Sequence, residues 1–441
     1  MKRIVASVGL VAVGVTGLQA DVFPGLTVES GKPWTASATL RGFYDDNINT
    51  WPNSQPMPRV PNSLPPTGYS RGSYGFEISP AIEFLFPWEQ TTLSFGYIYS
   101  LKYYENKPVN STGHDDNTQD AHIGLTHAFS ERYSISVRDS FVIGQEPDFL
   151  RAGNTYTTFQ RYSGNNLRNY GAIDFMAQLT PEFGLDLGYA NTLVIYADNT
   201  SPLLTGQASN AGLLNEMDNV IHLDGRYQLQ PQTVGILGVQ YRQSDFTADQ
   251  IIGRYLDGQP IMSDARNARS YYGYVGLDHN FRPDFTGSVR LGARYTDYYN
   301  SADNQNKTSP YAMVSLKYTY LPESSFEFGG SYDYSPTSLS PNASLGKDIN
   351  TSANAGTVFV ALNHRILPKL YGGILAQYQN SMFVGGSVDG ESDNFYLVGL
   401  NLRYQFNPNF SAGVGYNYDN LSGVQPHYDR NRVYIGITGS Y

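Results

Sequence analysis

The chain has 441 residues, with 39 acidic against 29 basic side chains for a net charge of −10, no cysteine and only 15% charged residues. The acidic balance argues against nucleic acid as a partner, and the missing cysteine removes disulfides and thiolate metal sites. Soluble domains average about 25% charged residues, yet the mean hydropathy is −0.37. A surface made mainly for water and a chain apolar on all sides are therefore both poor descriptions.

Met1-Lys2-Arg3 is followed by an apolar run from Ile4 to Leu18 and a small residue at Ala20. A basic start, a short apolar stretch and a small exit residue predict a secretory signal peptide over 1–20, cleaved after Ala20. No later stretch approaches the roughly 18 apolar residues of a membrane-spanning helix. Residues 21–441 are expected to form one domain, with Asp21 to Gly31 as a periplasmic lead-in.

The first strand is predicted from Trp34 to Tyr44, with Trp34, Ala36, Ala38 and Leu40 on one face and Thr35, Ser37, Thr39 and Arg41 on the other. It opens into a loop rich in proline, which cannot donate to a strand ladder. A repeat then takes over. Eight times an alternating strand reaches an apolar or aromatic residue, crosses a short polar turn and restarts, as at Phe86-Pro87-Trp88-Glu89, Leu179-Thr180-Pro181-Glu182, Phe281-Arg282-Pro283-Asp284 and Phe406-Asn407-Pro408-Asn409. About forty to fifty residues separate successive turns, room for two strands of roughly ten residues and one longer loop. One strand before the first turn, two at each turn and a last one near Arg432 give 18, with 16 as the alternative.

An even number of amphipathic strands in lipid requires a closed barrel, because an open edge would leave backbone groups unpaired. The expectation is an all-β, antiparallel transmembrane β-barrel with short periplasmic turns and long extracellular loops. Its outward face carries a recurring tyrosine: Tyr189, Tyr241, Tyr295, Tyr332 and Tyr416. Phe285 and Tyr295 share parity with Val289 and Leu291, and their spacing climbs roughly 25 Å, the height of an apolar band between two aromatic girdles.

The opposite parity predicts a lumen lined by Arg41, Lys102, Arg138, Arg226, Arg242, Arg290, Arg294, Lys317, Arg403 and Arg432, together with Glu77, Glu83, Asp174, Asp186, Asp224, Asp278, Glu327 and Asp333. Such a lining either fills a water channel or braces the wall by internal pairing. Asp139 falls on the lipid side between Val137 and Phe141, so a bulge turning it inward is expected. The segments Gln145–Arg168 and Gln243–Arg269 are long enough to fold into the mouth, which would set Arg151, Arg161, Arg254 and Arg266 against the traffic. The loops hold acidic clusters at Asp115, Asp116 and Asp120, at Glu146 and Asp148, at Asp245 and Asp249, and at Asp389, Glu391 and Asp393. With no shared ligand spacing they read as solvated loops rather than Ca²⁺ or Mg²⁺ sites, and neither a metal nor a cofactor is expected.

The final strand alternates Val433, Ile435, Ile437, Gly439 and Tyr441 against Arg432, Tyr434, Gly436, Thr438 and Ser440. It resembles the C-terminal insertion signal of Gram-negative barrels, with Tyr441 as its aromatic closing residue. Tyr44-Asp45-Asp46-Asn47, the run Arg138-Asp139-Ser140-Phe141 leading to Gln145-Glu146-Pro147, and the tyrosine-rich hairpin repeat resemble the outer-membrane porin family called beta-barrel porin 2. The resemblance implies a bacterial outer-membrane barrel and suggests a channel for small polar solutes. Some relatives are associated with exopolysaccharide operons, which keeps open the alternative of a non-channel barrel with a surface, adhesion or exopolysaccharide role. The partners expected are outer-membrane lipid and lipopolysaccharide, the barrel-assembly machinery and small polar solutes, with a homo-oligomer allowed.

No enzyme is expected. Gly68-Tyr69-Ser70-Arg71-Gly72 matches G-x-S-x-G, but a nucleophile elbow needs a strand before it and a helix after it. His127, His279 and His364 recur on the outward face near the turns, as interfacial rings would. A hydrolase built on His122 or His222 has no supporting spacing.

Overall fold

The computed structural model describes residues 32–54, 70–107, 114–145, 150, 152–157, 159, 165–197, 209–254, 259–300, 306–337 and 352–441. The expected signal peptide and lead-in, most of the proline-rich loop, Glu146, Asp148, Arg151 and Arg161 lie outside them. The first strands are β1 (Trp34–Asp45), β2 (Ser73–Pro87), β3 (Thr91–Tyr104), β4 (Asp115–Ala128), β5 (Tyr133–Gly144), β6 (Asn166–Gln178), β7 (Phe183–Tyr196), β8 (Glu216–Gln230) and β9 (Thr233–Phe246). A short helix α1 (Asn210–Leu214) and a small ribbon of β10 (Ile251–Arg254) and β11 (Pro260–Met262) sit in the loops flanking β8 and β9. Then come β12 (Ala268–Arg282), β13 (Phe285–Asp297), β14 (Lys307–Leu321), β15 (Ser324–Pro336), β16 (Ser352–Leu367), β17 (Leu370–Val384), β18 (Ser392–Asn407), β19 (Phe410–Ser422) and β20 (Tyr428–Ser440).

All but the ribbon belong to one 18-stranded sheet in which each strand pairs with its chain neighbours. The ring closes where β20 pairs antiparallel with β1, from Ser37 opposite Ser440 to Asp45 opposite Arg432. Closure leaves no sheet edge, which is what a bilayer demands. Eighteen strands are therefore present and the 16-strand alternative falls away.

The alternation written in the sequence decides which face looks out. Leu237 and Ile435 are each 69% exposed and Val275 is 59% exposed. Apolar side chains this open, repeated around the ring, belong against lipid. Asp224, Arg430 and Asp419, of the opposite parity, are fully buried on the inside. The outward tyrosines direct their hydroxyls to amides nearer the loop end: Tyr189 donates to Asn219 at 2.8 Å, Tyr416 to Asn431 at 2.7 Å and Tyr241 to Gln243 at 3.0 Å. Tyr295 is outward and exposed, and Tyr332 is half-buried. Near the turns, Phe285 stacks on Phe281 with ring centroids 4.6 Å apart.

The turn-side histidines each find a hydroxyl. His127 meets Thr91 at 2.7 Å, His279 meets Thr233 at 2.8 Å and His364 meets Tyr320 at 2.9 Å. His127 and His279 also lie edge-on to Phe129 and Phe281, with centroids 4.6 and 4.5 Å apart.

The predicted bulge at Asp139 does not form. β5 keeps unbroken register against β4 and β6 through this residue. Asp139 stays on the outward face, where the Asn169 amide donates to both its oxygens at 2.9 and 3.1 Å. A bulge would flip every following side chain of β5 to the wrong face. A neighbouring amide is the less disruptive way to satisfy one carboxylate.

Candidate functional site: the inner wall

The inward charges pair across neighbouring strands and across one intervening strand. Arg41 reaches Glu77 at 3.4 Å, Arg138 reaches Asp174 at 2.9 Å and Arg432 reaches Asp419 at 2.8 Å. Asp278 receives Arg226 at 3.2 Å and Arg290 at 2.7 Å. Arg294 meets Asp333 at 3.1 Å, and Arg242 pairs closely with Asp218. Lys102 lies opposite Glu77 in register, and Lys317 opposite Glu327. Arg403 sits over the Tyr371 ring, 4.9 Å from its centroid. Glu83 faces His122 at 3.1 Å.

Three inward glycines let side chains of non-adjacent strands meet, the first being Gly96 of β3 beneath the Glu83–His122 pair. A Cβ on Gly238 of β9 would lie 2.2 Å from the Tyr274 ring and 2.3 Å from Asp224. Through that gap Tyr274 of β12 donates to Asp224 of β8 at 2.6 Å. A Cβ on Gly188 of β7 would lie 2.0 Å from His222 and 2.7 Å from Asp174, and these two approach over it in the same way.

The wall from β16 to β20 is built differently. Phe395, Leu397, Leu421 and Tyr428 are fully buried there, with Leu375 and Ala361 beside them. They are covered by Leu150, Ala152, Tyr156 and Phe159, from the loop that joins β5 to β6. Counting around the ring of eighteen, β5–β6 and β17 stand about half a circumference apart. The loop therefore crosses the lumen to reach the opposite wall.

Two glutamines of β17 hold it. Gln377 accepts from the Gly153 N–H at 3.0 Å and donates to the Asn154 carbonyl at 2.7 Å. Gln379 accepts from the Tyr156 N–H at 2.7 Å and donates to its carbonyl at 2.8 Å. Each side-chain amide thus acts as a strand backbone would, satisfying donor and acceptor of a segment without a ladder of its own. Tyr428 adds a bond to the Phe159 carbonyl at 2.7 Å. Below the anchor, Leu150 overhangs a recess with Asn363, Asn401 and Asn417.

In the second long loop the side chain of Arg254 lies outside what the structure describes, and Arg266 does not face the lumen. Arg266 was expected to face the traffic; it is fully buried, and its guanidinium donates to the carbonyls of Gly212, Leu213 and Thr337 at 2.8, 3.1 and 2.7 Å. Burial pulls its pKa down to about 10, with Glu216 opposing the shift. Orphan carbonyls of α1 supply partners that open water would not keep in place, so the arginine joins loops together. Two acidic residues expected in solvated loops stand buried in strands instead, Asp116 of β4 tied to Lys107 at 2.5 Å and Asp393 of β18 accepting from the Gln425 N–H at 3.0 Å, while Asp389 of a loop accepts from the Gly385 N–H at 2.7 Å.

Gln377 and Gln379 are not among the residues that the alternation and the charges single out. A usable signal was present. Leu375, Phe395, Leu397 and Leu421 have inward parity, which contradicts a uniformly wet interior.

Among curated proteins no sequence matches the chain. Solved structures give distant likenesses. A BenF-like porin from Pseudomonas fluorescens Pf-5 is 12% identical, with TM-score 0.44, over 93% of this chain and 99% of that one. The outer membrane protein opdK from Pseudomonas aeruginosa is 13% identical, with TM-score 0.42, over 92% and 99%. OccK2 (OpdF) from Pseudomonas aeruginosa, solved in complex with glucuronate, is 10% identical, with TM-score 0.42, over 92% and 98%. The family model described as "Putative beta-barrel porin 2" matches residues 348–441, the stretch that holds β16 to β20. The chain is a closed 18-stranded antiparallel β-barrel, and its last five strands carry the match to that family model.

Proposed function

We propose that the protein is a passive channel for small polar solutes, narrowed by the segment 150–159. The observation that carries this reading is the crossing of that segment to the far wall, with Gln377 and Gln379 as its anchors. Eighteen strands enclose an interior wide enough for water, and a segment fixed across it sets an aperture between an apolar anchor and a charged wall. Residues such as Arg138, Arg242, Arg290 and Arg294, with Asp174, Asp224 and Asp278, then supply the field felt by a solute. Because the charges pair, the field favours neither sign strongly. The acidic excess of the chain gives a mild cation preference that fades as salt rises, since screening shortens from about 10 Å at 0.1 M to about 3 Å at 1 M.

Planar-bilayer recording under a KCl gradient tests this directly. Discrete channels with weak cation selectivity at low salt are expected. Folded protein that conducts nothing would favour the second reading, a barrel closed by its inward-folded loops and serving at the cell surface.

The same reading includes export by a signal peptide over 1–20, insertion by the barrel-assembly machinery, and a bilayer of lipid and lipopolysaccharide around the girdles. Tyr441 is the proposed insertion determinant. Its N–H and carbonyl bond Ala36 at 2.8 and 3.1 Å, and its ring lies 5.5 Å from Trp34. Tyr441→Asp should leave exported protein unassembled. Normal amounts of heat-modifiable barrel would sink that assignment.

A further inference from the structure

On the inward face of β6, β7 and β8, the ligand atoms of Asp174, Asp186 and His222 all lie within 4.8 Å of one another. The register makes this meeting unavoidable. Asp174 and His222 both stand directly opposite Gly188, on its two sides, and Asp186 lies two residues before that glycine on the same strand. Without a Cβ at Gly188, the Asp174 carboxylate and the His222 ring lean over β7 towards each other.

The cluster is deeply set, and its polar atoms are not satisfied by protein. His222 is 5% exposed and Asp186 4%. His222 Nε2 and Asp186 Oδ1 lack a hydrogen-bond partner among the described residues, and they face each other at 3.9 Å. Asp174 spends Oδ2 on Arg138 at 2.9 Å and turns Oδ1 to the space over Gly188. Asp224, directly opposite Asp186, accepts from Tyr274 through Oδ1, while its Oδ2 is unpartnered. Three carboxylates thus share one contacting guanidinium. Buried charge left uncompensated is strongly destabilising, so the site calls for a further cation.

We infer that Asp174, Asp186 and His222 form a binding site for a divalent transition metal of the Zn²⁺ class. One imidazole nitrogen with two carboxylate oxygens is a donor set that Zn²⁺ accepts, whereas Ca²⁺ and Mg²⁺ prefer oxygen alone. Metal–ligand bonds of about 2.0–2.1 Å imply ligand separations of roughly 3.3 Å in a tetrahedron, so binding draws His222 and Asp186 together by about half an ångström. Asp224 and Arg138 form the surrounding shell, one adding negative charge and the other orienting Asp174. Three protein ligands leave a fourth position for water or for a carboxylate on a solute. The site would also clamp three adjacent strands. The inference does not depend on transport.

The competing state is a protonated His222 between two carboxylates, and metal binding separates the two. Full-length barrel, shown to be folded by heat-modifiable migration, is stripped with chelator and titrated with ZnCl₂ and, separately, CoCl₂. Expected are one metal per chain, visible Co²⁺ absorption from a low-symmetry nitrogen–oxygen site, and a higher melting midpoint with Zn²⁺. His222→Gln should weaken binding by about 100-fold or more, beyond the 10–100-fold that loss of an outer-shell partner costs. If that buried variant does not fold, the more exposed Asp174→Asn decides by the same measure. Folded wild-type protein that binds neither metal, or variants that bind as well as wild type, would overturn the site in favour of the protonated histidine.

Discussion

From β6 to β15 the inward face carries charges that pair across the wall; from β16 to β19 it is largely apolar or neutral amide, and Leu150, Ala152, Tyr156 and Phe159 come to meet it. Outside the Asp174–Asp186–His222 cluster, the charges of this half find partners among its own strands. Arg242 with Asp218, and Arg226 and Arg290 with Asp278, are complete within the wall. The other half exposes Phe395, Leu397 and Leu421 to the lumen unless something covers them. Covering apolar area is worth about 25 cal/mol per Å², and that gain is what draws a loop across the barrel. A wall whose side chains pair among its own strands needs no cover, and an apolar wall recruits one.

The comparison is broken most directly at the anchor. Gln377→Ala with Gln379→Ala removes four bonds to the loop backbone. At about 0.5–1.5 kcal/mol each, they hold the segment by about 2–6 kcal/mol. Single-channel conductance should rise and become noisy, and protease should cut within 150–159 in folded protein. Unchanged conductance would place the narrowest point elsewhere.

On the charged side, Asp218→Asn strands Arg242 in a pair whose side chains are only 12% and 13% exposed. Breaking one member of a buried pair costs about 3–5 kcal/mol. The temperature at which folded and unfolded bands interchange should fall clearly, while the segment 150–159 stays protected. A variant that also frees the segment would show that the two halves are coupled.

The smallest effect is expected outside. Asp139→Asn removes a charge from the lipid face and keeps an oxygen for the Asn169 amide. Unfolding in bilayers should become harder by about 1 kcal/mol, near the low end for charged lipid-facing residues. Destabilisation instead would mean that the carboxylate itself is needed there, and pore properties should not change in either case.

Strand number, closure, the side of the sheet that each residue faces and the alternation of short turns with long loops were legible in the residues. These follow from a period of two and from the bilayer's refusal of unpaired backbone, and both act locally enough to be read from a string. That Glu77 and Lys102 both face inward was legible too, whereas their standing directly opposite one another is a matter of register that the structure supplies. What the residues could not tell is which loop turns inward and where it lands. Leu150 meets Gly399, and Tyr156 meets Gln379, across half a ring and more than two hundred positions of chain. Such contacts depend on the diameter and shear of the closed barrel, quantities that belong to all eighteen strands together. The same holds for His222 and Asp174 over Gly188: parity puts both inside, but only closure and register bring them to the same point.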